Sequence, residues 1–202
     1  MEFIAFPSKE NAIFSSTNPK DIETSVSGSL GFRINGKCVQ THANATLISD
    51  KKMDWCSNLA KDKNDKPWIS YSLKNKKMRL SGFSVRNGCC WYGCCCVDDD
   101  KDIDYYCCCE LYSFSLQGSN DKTTWKVIHQ VEKLEEFPYC KFQTYEFKKS
   151  EAFRYIRFVQ DEERPGCPYC MQINQIEFYG DVVDSLFDGE VDDDNDDSIS
   201  II

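Results

Sequence analysis

Histidine is nearly missing from this chain: His42 and His129 are the only two in 202 residues. That leaves little for imidazole catalysis. His129 falls in a strand-like run and reads as a structural ring. A His129–Cys140 nucleophile pair would lack an orienting third group and an oxyanion hole. A phosphate-cradling loop is also missing, since Gly28-Ser29-Leu30-Gly31 is a turn with no helix after it. No apolar run approaches the length of a membrane span, so no integral membrane segment is expected. Residues 1–16, MEFIAFPSKENAIFSS, have neither a basic n-region nor an apolar stretch of signal-peptide length. No segment carries a long 3.6-residue apolar period, so helix is expected to be minor.

A basic face is missing too. Nine of the 33 acids lie from Asp181 onward, where there is no Lys or Arg, so residues 1–180 hold 24 acids against 24 bases. The body is neutral and the acidity belongs to the C-terminal segment. Nucleic-acid binding needs clustered positive charge, and attraction to anionic membranes needs the same. Both are set aside. The expected location is cytoplasmic, with reduced thiols, and the alternative is the cell surface or secretion. One glycosylation triplet, Asn44-Ala45-Thr46, is present, but such triplets recur by chance.

What the chain has in excess is cysteine, thirteen in all. Eight fall in the segment 89–109, as Cys89-Cys90, Cys94-Cys95-Cys96 and Cys107-Cys108-Cys109. Around that segment run short apolar stretches rich in aromatic and β-branched residues: 68–73, 78–85, 111–116, 125–131, 142–147, 153–159 and 173–179. Tyr112, Phe114 and Leu116 alternate, as do Tyr155, Arg157 and Val159 against Phe153 and Ile156. Turn residues divide the runs at Lys74-Asn75-Lys76, Gly118-Ser119-Asn120-Asp121 and Pro165-Gly166. Short strands at regular spacing predict an all-β fold, an antiparallel β-sandwich of jelly-roll type. Residues 1–27 read as a loosely packed lead-in, 28–181 as the domain, and 182–202 as an acidic disordered tail.

Ser115-Leu116-Gln117-Gly118-Ser119-Asn120-Asp121, followed by Trp125, resembles the discoidin domain (coagulation factor F5/8 type C, galactose-binding-like). Trp68 to Leu73 and Arg79 to Arg86 resemble that family's first core strands. Phe153 to Phe158 and Ile176 to Gly180 resemble its closing ones. The resemblance covers roughly residues 30–181. It implies a non-catalytic binding module with ligand loops at one end of a sandwich. Gly118, Asn120 and Asp121 would supply a tight turn, Trp125 would pack across the core, and Gly180 would end the last strand. Secreted relatives bind sugars, phospholipid headgroups or collagen, and intracellular ones bind proteins. A Cys pair bracketing the two ends of the domain is not evident, which favours the intracellular branch.

If every short connection reverses the chain, loops alternate between the two ends. Cys56, the insertion 89–109, Cys140, Cys167 and Cys170 then share one end, with Cys38 the exception. Converging thiols suggest zinc in a tetrahedron. Cys167 and Cys170 have C-x2-C spacing, and alternation along a strand offers Cys107 with Cys109, or Cys94 with Cys96, as the second half; Cys140 is a further alternative. A packed reduced cluster and disulfides stay open beside zinc. Redox catalysis by Cys167-Pro168-Tyr169-Cys170 is set aside, because the motif follows a Pro-Gly turn and not a helix start. Asp98, Asp99, Asp100, Asp102 and Asp104 read as a solvated loop tip before a calcium site. Trp91, Tyr92, Tyr105, Tyr106 and Tyr169 are the candidate ligand-binding residues. The functional expectation is protein–protein interaction through this end, with carbohydrate-binding adhesion as the alternative. Ile199 to Ile202 could add a second protein contact as a short β-augmenting strand.

Overall fold

The computed structural model describes residues 11–35, 37–48, 53–88, 90, 94–96 and 109–184, with side chains left out at 32–34 and 94–96. Two antiparallel sheets face one another. The back sheet runs in the order β1 (Ile22–Val26), β5 (Trp68–Leu73), β12 (Tyr155–Glu162), β8 (Ser113–Ser119) and β9 (Lys126–Val131). The front sheet places β4 (Trp55–Cys56), β13 (Gln172–Asp184) and β6 (Lys76–Asn87) in order, with β10 (Phe142–Glu146) and β11 (Ala152–Phe153) on the other edge of β6. Among the described residues a single pair, Leu73 with Lys76 at the β5–β6 hairpin, links the two sheets. Asn75 takes the left-handed conformation in that turn (φ 58°), which Asn tolerates better than most residues.

Alternation along the strands sends one face of each sheet inward. Phe83 of β6 meets Phe158 of β12 with ring centroids 5.5 Å apart, and Tyr71 of β5 meets Phe178 of β13 at 5.6 Å. Phe114 of β8 reaches Tyr145 of β10 at 5.8 Å. Each pair joins the two sheets, and edge-to-face packing adds about 0.5–1.5 kcal/mol per pair beyond the area it buries.

The N-terminal residues depart from expectation. Ile13 and Phe14 are buried in the core, with Phe14 set 5.1 Å from Tyr71 and 5.0 Å from Phe178. They sit on a one-turn helix, α1 (Ile13–Ser16). The buried Glu177 carboxylate on β13 fastens it, accepting from Phe14 N at 2.7 Å and from Ser15 N at 2.9 Å. β1 then pairs with β5 from Ile22–Leu73 to Val26–Ile69. Residues 11–27 are therefore part of the sandwich. Packing continues through the expected boundary at residue 28.

Two landmarks also behave differently. Trp125 is half-buried on the outer face of the back sheet, where Arg157 lies 4.1 Å over its ring and its Nε1 donates to Lys122 O. It does not cross the core. β13 does not stop at Gly180; it passes through a bulge there and pairs on to Asp184. Glycine is required at the bulge because its φ is 146° and a Cβ would lie 2.1 Å from Arg79 O. A further small sheet holds β2 (Gly31–Ile34), β3 (Lys37–Gln40) and β7 (Cys94–Cys96), with β2 in the middle.

Candidate binding site

The antiparallel alternation brings the cysteine-bearing loops together. β6 ends at Asn87 where β13 begins, and the segments leaving them are laced by backbone hydrogen bonds. Cys140 N donates to Gly88 O, Gln172 N to Cys109 O, Ser57 N to Met171 O, Ala60 N to Tyr169 O, Leu134 N to Tyr112 O and Gln160 N to Pro67 O. Disulfides add covalent ties between the same segments, Cys90 to Cys140 and Cys109 to Cys170. Cys56 packs against Cys109 and Cys170 in a buried cluster flanked by Leu30 and Leu59. Cys38 and Cys56 are disulfide-bonded as well. Cys38 belongs to this end and is not an exception, because β2 joins its strand β3 to the insertion strand β7.

The zinc set needs correcting on this point. Cys109 and Cys170 were two of its four ligands, with Cys107 and Cys167. Their sulfurs are bonded to each other, and a disulfide sulfur is not a thiolate ligand. Cys140 is engaged in the same way with Cys90. Cys94 and Cys96 form β7, and Cys107 lies outside the described residues. Cys167 is half-buried on the 163–169 turn.

Below the loops lies a buried polar relay. Arg86 Nε donates to Asn174 Oδ1 at 2.6 Å, and Asn174 Nδ2 donates to Asp54 Oδ1 at 2.6 Å. Asn87 Nδ2 donates to Phe137 O at 2.8 Å. These bonds tie β6 and β13 to the 53–54 and 132–141 segments. A buried polar group left unmade costs about 1–3 kcal/mol, so such a relay resists rearrangement.

A cleft of about 580 Å³ opens at this end, lined by Lys63, Lys66, Tyr112, Lys133, the acids Asp161 to Glu163, and Pro165 to Cys167. Arg164 frames it. Its guanidinium lies 5.1 Å over the Tyr112 ring, pairs with Glu110 at 2.5 Å, and donates to the carbonyls of Leu134 and Glu135. Burial raises the Glu110 carboxyl above its usual range, and the Arg164 charge opposes that rise. Lys66 pairs with Asp161 at 2.8 Å across the cleft. The site thus offers charged donors and acceptors around one aromatic ring, all on tied segments.

Of the expected ligand-binding aromatics, only Tyr169 is among the described residues. Its hydroxyl donates inward, to Gln160 O at 2.9 Å and Asp161 O at 2.8 Å. Burial, and then the charges of Asp161, Glu163 and Glu162, raise its pKa and keep the phenol neutral. It holds the 160–170 loop and is not presented to a ligand. Trp91, Tyr92, Tyr105 and Tyr106 lie outside the described residues, as do Asp98 to Asp104 and Ile199 to Ile202. Tyr112 and Arg164 were missed by sequence reasoning. Alternation only grouped Tyr112 with Phe114 and Leu116 on one face of a strand. The available signal was its place at the mouth of a strand, one connection away from the cysteine insertion.

No protein-family model and no curated protein matches the sequence. Solved structures do. The family 32 carbohydrate-binding module of NanJ from Clostridium perfringens, in complex with galactose, matches with a TM-score of 0.54 and 10% identity over 84% of this chain and 98% of that one. CpGH89CBM32-5, also from Clostridium perfringens and in complex with GalNAc-β-1,3-galactose, matches at 0.53 and 10% over 80% and 97%. Chitosan-binding module 1 from a Paenibacillus sp. IK-5 chitosanase/glucanase matches at 0.51 and 16% over 78% and 93%. At these identities the likeness is one of fold. Together with the strand order above, it shows that this chain has the β-sandwich fold shared by discoidin and galactose-binding-like domains.

Proposed function

We propose that this chain is a non-catalytic carbohydrate-binding module of an exported or cell-surface protein, and that it takes its glycan at the disulfide-tied loop end. One observation carries the reading: the cleft at Tyr112 brings an aromatic residue together with acids and lysines on segments tied by backbone hydrogen bonds and a disulfide. A sugar ring presents hydroxyls along its rim and C–H groups on its faces, and polar side chains around an aromatic ring complement both. Preorganised donors lower the ordering cost of binding. The bound galactose, GalNAc-containing disaccharide and chitosan specificity named for the structural neighbours point the same way.

Disulfides at six described cysteines support the cell-surface or secreted alternative over the cytoplasmic expectation, because such bonds persist in oxidising compartments. The protein-interaction reading has less behind it. The structural neighbours are carbohydrate-binding modules, and the Tyr169 hydroxyl is engaged by the carbonyls of Gln160 and Asp161.

The test is affinity chromatography of the oxidised protein on galactose-, N-acetylgalactosamine- and chitosan-bearing resins, with elution by free sugar. Retention on at least one resin is expected, and Tyr112→Ala should reduce it tenfold or more, the worth of about 1.4 kcal/mol. Retention on none of the three, by protein whose disulfides are intact, would defeat the reading.

A further inference from the structure

We infer that Asn44 is an N-glycosylation acceptor whose glycan stands beside the open edge of β1; the inference rests on the export reading above. Asn44-Ala45-Thr46 is the required triplet, with a middle residue other than Pro. It lies on a 3-10 turn, Ala43–Leu47, with Asn44 exposed while Ala45 and Thr46 are buried. Asn44 Oδ1 accepts from Thr24 Oγ1 at 2.6 Å. Asn44 is exposed, which leaves its side-chain amide open to substitution.

Thr46 sets the order of events. Its hydroxyl is bonded to the Tyr71 hydroxyl at 2.8 Å in the core, and the residue has no exposed surface. A transferase that must read that hydroxyl cannot do so once the sandwich has closed. Transfer therefore precedes folding, in the compartment where the disulfides form. The donor is an oligosaccharide on a lipid diphosphate. The Asn44 Nδ2 to sugar C1 bond forms, and the C1–O bond to the diphosphate breaks. The lipid diphosphate leaves with the bonding pair, while the amide gives one proton to a base of the transferase.

Location suggests what the glycan does. β1 pairs with β5 on one side, and among the described residues no strand pairs with its other side. An open edge is a template for a second chain. Thr24, the central residue of β1, touches Asn44, so a bulky polar group there covers this edge.

The experiment is peptide mapping of natively purified, non-reduced protein before and after peptide N-glycosidase, which converts a glycosylated Asn to Asp. A glycan on Asn44 together with the Cys109–Cys170 cystine supports the inference. Bare Asn44 in a sample that contains this cystine overturns the site and leaves the export reading intact. Bare Asn44 with reduced thiols overturns both. In protein secreted from eukaryotic cells, Asn44→Gln should abolish the mobility shift, whereas Thr46→Ser, which keeps the triplet, should retain it. Loss of the shift in neither variant would also overturn the assignment.

Discussion

His129 lies against Phe147, Tyr145 and Phe83, with ring centroids 5.2, 5.5 and 5.9 Å away. Burial lowers its pKa below the ordinary imidazole value, so the neutral ring is the folded form. The unfolded chain binds the proton more readily, so this contribution to stability is present at neutral pH and is lost as pH falls through about 6.5 and below. Replacing His129 with Phe should flatten the pH dependence of the urea midpoint between pH 7 and 5, and an unchanged slope would remove His129 as its source. Asp121 is shifted the same way for another reason. Its carboxylate accepts from the backbone N–H groups of Thr124 and Thr123 and from the Ser119 hydroxyl, which holds its pKa far below the usual range. The turn it builds is stable above the unfolded carboxylate value and weakens as pH drops below about 4. Asp121→Asn should remove that acid sensitivity from thermal melts. The turn was legible in the residues Ser119-Asn120-Asp121, but the role of Gly118 was not. That glycine lies within β8, where a Cβ would sit 2.3 Å from the Phe153 ring. Gly118→Ala should cost about 1–3 kcal/mol in denaturant titrations, the range for overpacking a core.

Strands that alternate could be read from their residues. β5 spans the expected Trp68–Leu73, and β9 and β10 fall within one residue of expectation. Elements whose burial depends on distant partners could not. Ile13 and Phe14 show no periodicity, and their place in the core depends on Glu177, which lies more than 160 positions along the chain. The gathering of the cysteines at one end followed from antiparallel alternation, but their pairing did not, because spacing does not determine connectivity. The Cys109–Cys170 bond closes a loop of 61 residues, worth about 4 kcal/mol by loop-closure entropy. Cys109→Ser, Cys170→Ser and the double variant should therefore lose similar amounts of stability under oxidising conditions. A double variant as stable as the parent would show that the backbone lacing alone holds this end. Trp125 was misread because the family resemblance implied a ring packed across the core, whereas Arg157 covers it on the outer face.

The molecule as a whole separates its roles along its length. One end carries the hairpin turn Lys74-Asn75, the Asp121 turn and the 147–150 turn; the other carries the laced loops and the cleft. That division was legible, since chain reversal at each turn demands it. The cleft was not, because Lys66, Tyr112, Lys133 and Asp161 are brought together only by tertiary structure. Thiol titration of native protein in denaturant is the global check. Cys38, Cys56, Cys90, Cys109, Cys140 and Cys170 should become reactive only after reduction. Their reactivity without reductant would return the chain to the cytoplasmic reading.

β13 begins beside Cys170 and, at roughly 3.3 Å per residue, carries the chain about 40 Å before its pairing ends at Asp184 opposite Lys76. That distance is about five Debye lengths at physiological ionic strength. The Asp184 carboxylate is therefore screened from the loop end of the strand. A support coupled on the C-terminal side would hold the cleft outward, as a lamp is held away from its bracket.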